Sequence, residues 1–195
     1  WPYAIRYAVS AASLSGAAMV TNRSACNPEI SLLTAENHER NGRRKNSEFG
    51  PLWDLLDAVK DPEIPVLSLW DLGILQDITQ IDAAIVVTIT PTYSGCPAMQ
   101  VMAEDIAATL RQAGYDNFRI STRLAPAWTT DWLSELGRQQ LRLYGIAPPR
   151  KENPIHCPRC DATEIRLISQ FGSTPCKALY QCRNCAEPFD YFKPI

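Results

Sequence analysis

Histidine is scarce in these 195 residues; the sequence has two, His38 and His156. A thiol or hydroxyl nucleophile needs a base beside it. Neither histidine is an obvious partner for one, which counts against a nucleophilic enzyme. Positive charge is not in excess either. The net charge is −2, whereas a protein that lives on phosphate backbones is usually basic, so nucleic acid is not the expected partner. No apolar run approaches the ~20 residues that a membrane-spanning helix requires. The opening stretch WPYAIRYAVSAASLSGAAMV is rich in Ala and Ser and poor in Leu and Ile, a weak core for an export signal.

Cysteine, by contrast, is plentiful. There are seven, and four of them fall in two C-x-x-C pairs. A disulfide framework would spread its cysteines to close long loops. Paired spacing points to metal or redox chemistry in a reducing compartment, so a cytoplasmic protein is expected.

Four regions emerge along the chain. Residues 1–48 read as a disordered leader or an added extension, with the polar segment 37–48 (including Arg43, Arg44 and Lys45) solvated. Residues 49–147 read as one α+β domain. Leu52, Leu55, Leu56 and Val59 recur at helical spacing after Pro51. Residues 64–69 read as short and extended. Residues 73–80 and 83–90 are rich in β-branched residues and read as a hairpin, with the second run the central strand. A helix is expected from Ala98 to Ala113, stopped by Gly114, then a third strand over 115–124. A second helix is expected after Thr130, capped by its hydroxyl and ended by Gly145. The expected fold is a small three-stranded sheet packed with helices. Residues 148–154 form a proline-containing linker, and residues 155–195 a β ribbon.

The ribbon carries Cys157 and Cys160, then Cys182 and Cys185. Two C-x-x-C turns complete a tetrahedron of thiolates, the arrangement zinc prefers. A piece of about 40 residues cannot bury enough surface to fold alone. A structural zinc contributes about 10–16 kcal/mol of apparent binding energy in small fingers and closes that gap. Iron shares the same ligand set. The bland alternatives are reduced cysteines or two small disulfides. His156 precedes the first ligand and is read as a non-ligand, because four sulfurs suffice. Cys176 is either a buried small hydrophobe or a spare thiolate. The segment holds five basic residues against four acidic ones, too even for a nucleic-acid surface.

In the first domain, Cys96 follows a strand and precedes Pro97. Proline favours the first helical position, so Cys96 should sit near a helix N-terminus, where partial positive charge would lower its pKa. Thr90, Thr92, Tyr93 and Ser94 offer hydroxyls nearby. An inert buried cysteine is the competing reading. Asp61, Glu63 and Asp71 form an acidic group, for which turn chemistry and capping are the plain explanation.

Taken together, these segments resemble a known family. DPEIPVLSLWDLGIL followed by TPTYSGCPAM is similar to the small domain of SufT-like iron–sulfur assembly factors. The later segments APAWTTDWLSELGRQQLRLYGIAPP, CPRC, FGSTPCKALYQC and CRNCAEPFDYFKPI resemble the PaaD (PaaJ) family, the D component of bacterial phenylacetyl-CoA epoxidase systems. The resemblance spans roughly residues 50–195. It implies an accessory, non-catalytic protein of aerobic phenylacetate catabolism. Its partners would be the other epoxidase subunits, above all the iron–sulfur flavin reductase, whose cluster it would help to mature. It implies that Cys96, Asp61 and Glu63 handle a transient iron or iron–sulfur cargo, and that Cys157, Cys160, Cys182 and Cys185 hold a structural zinc. It leaves Cys176 without a role. A structural adaptor bridging epoxidase subunits, or a thiol enzyme using Cys96, are the alternatives.

Overall fold

A computed structural model describes residues 39–150 and 154–195. The expectations for the leader before residue 39 and for part of the linker lie outside the described residues.

The hairpin expected from the two β-branched runs forms. Strands β1 (Leu75–Ile81) and β2 (Ala84–Ile89) pair antiparallel. The two-residue turn places Asp82 at φ 50° and Ala83 at φ 66°. Positive φ at both central positions is the tight hairpin geometry that matches strand twist. The chain then crosses over through a helix to β3 (Phe118–Thr122), which pairs parallel to β2. The sheet order is therefore β1-β2-β3, with β2 central.

The described chain opens with a short helix, α1 (residues 39–46), and two further helices close the core. Helix α2 (Gly50–Leu56) has Pro at its first turn and buries Leu52, Trp53 and Leu56. Helix α3 (Ala98–Gln112) buries Ala98, Met102, Ile106 and Leu110, a stripe with the 3.6-residue repeat. These side chains join Ile78, Val87 and Ile89 in one cluster.

Several local expectations are corrected. The residues of α1 are helical, not a solvated tail. Arg40 is 1% exposed. Its guanidinium donates to the carbonyls of Trp70 and Trp132, each at 2.8 Å, and lies 4.0 Å from the Trp70 ring centroid. Arg44 bonds Asp54 and Asp57. Residues 64–69 are turns and bends rather than an extended run, with one isolated bridge between Lys60 and Ser68. After a 3-10 turn (Thr130–Trp132), helix α4 runs over Glu135–Tyr144. Its cap is the Ser134 hydroxyl, which accepts from the Gly137 N–H, not Thr130. Ser134 is itself held by Asp71, whose Oδ1 accepts from the Ser134 hydroxyl at 2.6 Å. The turn-and-capping reading of Asp71 thus stands.

The second sheet has the order β4-β7-β6-β5. It comprises β4 (Ile146–Ala147), β5 (Ile165–Ser169), β6 (Lys177–Cys182) and β7 (Pro188–Phe192). β4 immediately follows α4 and pairs parallel to β7, so the chain enters the ribbon's sheet well before the first cysteine knuckle. Phe192 belongs to the first domain's core cluster, with its ring centroid 6.0 Å from that of Trp128. The Thr130 N–H donates to the Ile195 carbonyl. The ribbon thus lies against the α+β unit, and that contact shapes the candidate site.

Candidate functional site

The two cysteine knuckles have matching backbone geometry. The N–H of Cys157 donates to the Ala162 carbonyl, and the N–H of Cys182 to the Glu187 carbonyl, both at 2.9 Å. In each knuckle the residue after the second cysteine, Asp161 or Ala186, has a left-handed φ of 63° or 62°. This turn points both sulfurs of a pair to the same side.

The four sulfurs of Cys157, Cys160, Cys182 and Cys185 lie within 4.8 Å of one another. Across the knuckles, Cys157 and Cys185 are 3.8 Å apart and Cys160 and Cys182 are 3.5 Å apart. Thiolates at about 2.3 Å from a tetrahedral zinc have sulfur–sulfur edges of about 3.8 Å, so the donor set fits such an ion. All four cysteines are free, and these separations are far from a disulfide's about 2.05 Å.

The protonation equilibria agree. The Ala162 N–H, assisted by Asn184, draws Cys160 down to about 6. The Glu187 N–H pulls Cys185 the same way, but desolvation and the other sulfurs push it up to about 12. Four clustered thiols cannot all ionise unaided; a cation lets them.

The second constellation is a cavity of about 130 Å3 between the first domain and the ribbon. From the first domain it is lined by Asp61, Glu63, Thr92, Tyr93 and Cys96, and from the ribbon by Thr174 and Cys176. The sequence-expected trio of Cys96, Asp61 and Glu63 is therefore brought together. Of the expected hydroxyls, Thr92 and Tyr93 line it. Thr90 is buried elsewhere, with its Oγ1 unpartnered among the described residues.

Asp61 is positioned by its own turn. It is 4% exposed, and its Oδ1 accepts from the N–H groups of Glu63 at 2.9 Å and Ile64 at 2.7 Å. Burial raises its pKa; the two N–H donors oppose that shift, as does Lys177. Cys96 precedes Pro97, which occupies the N-cap of α3. The expected lowering of its pKa is reversed. Desolvation pushes the thiol up, the neighbouring Asp61 and Cys176 add to that, and the Ala98 N–H and Thr92 hydroxyl offset it only in part. Burial in the cavity shared with the ribbon outweighs the helix terminus here.

Cys176 and Lys177 are residues that sequence reasoning did not bring to this site. The loop before β6 is closed by Gly172 N–H donating to the Lys177 carbonyl and Lys177 N–H to the Thr174 carbonyl. Lys193 N–H donates to the Cys176 carbonyl. The backbone passes close to β7 at Gly172, where an added Cβ would come within 2.8 Å of Asp190 Oδ1 and displace that carboxylate. Thr174 Oγ1 lies 3.1 Å from Cys176 Sγ. Lys177, 3% exposed, pairs with Asp190 at 3.6 Å, and its charge favours ionised Cys176 and Asp61. His156 instead contacts Asp161 at the first knuckle and does not line the cavity.

This architecture, an α+β unit carrying a loop cysteine with a four-cysteine ribbon folded against it, is matched by two family models. Residues 52–117 match an iron–sulfur cluster assembly protein model and residues 146–193 a PaaD zinc beta ribbon domain. Over 151 residues the chain is 46% identical to the D subunit of the putative 1,2-phenylacetyl-CoA epoxidase of Escherichia coli (strain K12), covering 74% of this chain and 92% of that protein. The chain belongs to the PaaD family. It is also 34% identical over 83 residues to an Fe-S protein maturation auxiliary factor of Porphyromonas gingivalis, covering 42% of this chain and 78% of that protein. Among solved structures, a domain of unknown function (DUF59) from Bacillus anthracis aligns at 22% identity and a TM-score of 0.44, over 53% of this chain and 95% of that one. Among the described residues, no helix is long and apolar enough to cross a membrane.

Proposed function

We propose that this protein is a non-catalytic, cytoplasmic accessory subunit of a phenylacetyl-CoA epoxidase that assists iron–sulfur maturation of the reductase component. Family membership supports the epoxidase association, and the match of residues 52–117 supports the assembly role. The observation that carries the reading is the cavity in which Cys96 meets a buried carboxylate, Asp61. A thiol kept protonated and sheltered is a poor free nucleophile but a competent ligand once a cation displaces its proton. Cys157, Cys160, Cys182 and Cys185 would hold a resident zinc whose role is to fold the ribbon, not to react. An enzyme based on a Cys96 nucleophile is disfavoured because no histidine among the described residues lines the cavity, His156 contacting Asp161 instead.

The test is Cys96→Ser in cells that carry the complete epoxidase system, read as epoxidase activity and as iron and sulfide content of the purified reductase. Both should fall, while the ribbon's metal content stays unchanged. Full activity with full cluster occupancy would overturn the proposal.

A further inference from the structure

We infer that the free edge of β3 is a docking edge for an extended, acidic segment of a partner protein, which adds to the first sheet as a fourth strand. The residues concerned do not line the Cys96 cavity, so this goes beyond the proposed function and does not rest on it.

β3 ends the order β1-β2-β3, so among the described residues one of its sides has no strand beside it. The Ile85 N–H donates to the Asn117 carbonyl and the Arg123 N–H to the Ile89 carbonyl. β2 and β3 pair in parallel from Ile85 opposite Phe118 to Ile89 opposite Thr122. The backbone groups of the odd-numbered residues from 117 to 123 therefore turn toward β2. Those of Phe118, Ile120 and Thr122 turn outward, open to a further strand. Side chains alternate across a sheet. Phe118 and Ile120 pack against the core cluster, so Arg119, Ser121 and Arg123 lie on the opposite face.

Charge selects the occupant. Arg119 is exposed. Arg123 reaches Gln76 Oε1 at 3.4 Å, and its Nε has no partner among the described residues. Arg111, in the last turn of α3, holds its guanidinium 5.4 Å from the Phe118 ring centroid. None of the three is ion-paired with a carboxylate among the described residues. Between positions 116 and 124 the sequence has a single acidic residue, Asp116. A second copy of β3 would bring the same arginines to both sides of the seam, and like charges set opposite one another destabilise a pair. The edge thus disfavours self-association and favours carboxylates. A strand with an acidic residue at every second position would place them on the face of Arg119 and Arg123, and its apolar residues beside Phe118 and Ile120.

Two synthetic peptides test this on the full chain, one alternating glutamate and valine and the other alternating lysine and valine, with residue-resolved amide hydrogen exchange as the readout. At low salt and a concentration about four times its Kd, the glutamate peptide should slow exchange at Phe118, Ile120 and Thr122 by about five-fold. The lysine peptide should leave these amides unchanged. Raising the salt to about 1 M, where the screening length falls to about 3 Å, should reverse most of the slowing. Arg119→Glu combined with Arg123→Glu should exchange the preference of the two peptides. Arg119→Ala, at an exposed position, should weaken binding of the glutamate peptide about three-fold, which keeps the test decisive if the double variant does not fold. No slowing at β3 by the glutamate peptide, equal slowing by the lysine peptide, or unchanged affinity in Arg119→Ala would overturn the inference.

Discussion

Replacing Arg40 by alanine should destabilise the folded protein by about 3 kcal/mol. The guanidinium makes two short bonds, at 2.8 Å to the Trp70 and Trp132 carbonyls, and a longer one of 3.5 Å to the Leu75 carbonyl. A bond involving a charged group contributes about 1.5–3 kcal/mol, and its loss leaves a buried carbonyl unpaired. Stacking on Trp70 at 4.0 Å adds up to about 2 kcal/mol when desolvated. Against this stands the penalty of burying a cation. That penalty is visible in the pKa of Arg40, which desolvation first, and then the Arg43 charge, bring down to about 10; the group stays charged at neutral pH. With a urea slope of about 2 kcal/mol/M, the midpoint of unfolding should move down by about 1.5 M. Arg40→Lys, which keeps charge but loses the two-pronged donor, should fall between wild type and alanine. A loss below about 0.5 kcal/mol, typical of a surface substitution, would show that α1 is not seated on Trp70 and Trp132, and would refute the reasoning.

Two further outcomes follow from the site. Alkylation of Cys96 in the metal-free cavity should accelerate with pH with a midpoint above the ordinary thiol value of 9.0, because burial, then the neighbouring Asp61 and Cys176, raise its pKa. The folded chain then keeps a proton that the unfolded chain loses, so this thiol's contribution to stability is intact below about pH 9 and declines as pH rises through the folded value; a midpoint below 7 would contradict this account. Stripping the ribbon metal with a chelator should abolish amide-exchange protection in β6 and β7 and red-shift tryptophan emission, since Trp128, 4% exposed, loses the cover of Phe192. Unchanged protection and emission would show that the ribbon folds without its ion.

What was legible in the sequence was what short-range pattern dictates. The hairpin, the central place of β2, helix α3 and the convergence of the four ribbon cysteines all follow from periodicity or from ligand spacing. What was illegible depends on partners far along the chain. Arg40 sits in a polar string that reads as solvated, because its carbonyl acceptors lie 30 and 92 residues away. β6 carries a lysine at 3% exposure, and nothing near Lys177 announces the pairing with Asp190 that makes burial tolerable. Ser134 rather than Thr130 caps α4 because Asp71 orients its hydroxyl, a contact across 63 residues.

The reversed pKa of Cys96 shows the same cause acting on chemistry. From sequence, the residue before a proline-led helix should gain thiolate character. In the fold, Cys96 is half-buried in a cavity that the ribbon helps to line, and desolvation dominates. The ribbon also brings Cys176 to the cavity, and the nearby Lys177 charge favours its ionised form. On this reasoning the ribbon's metal and the cavity are linked: an ion that folds the ribbon holds the 172–177 loop in place. Losing the ribbon's ion should therefore speed alkylation of Cys176, which lines that cavity, although Cys176 is not among the ion's four clustered cysteines; an unchanged rate would show that the cavity stands without the ion.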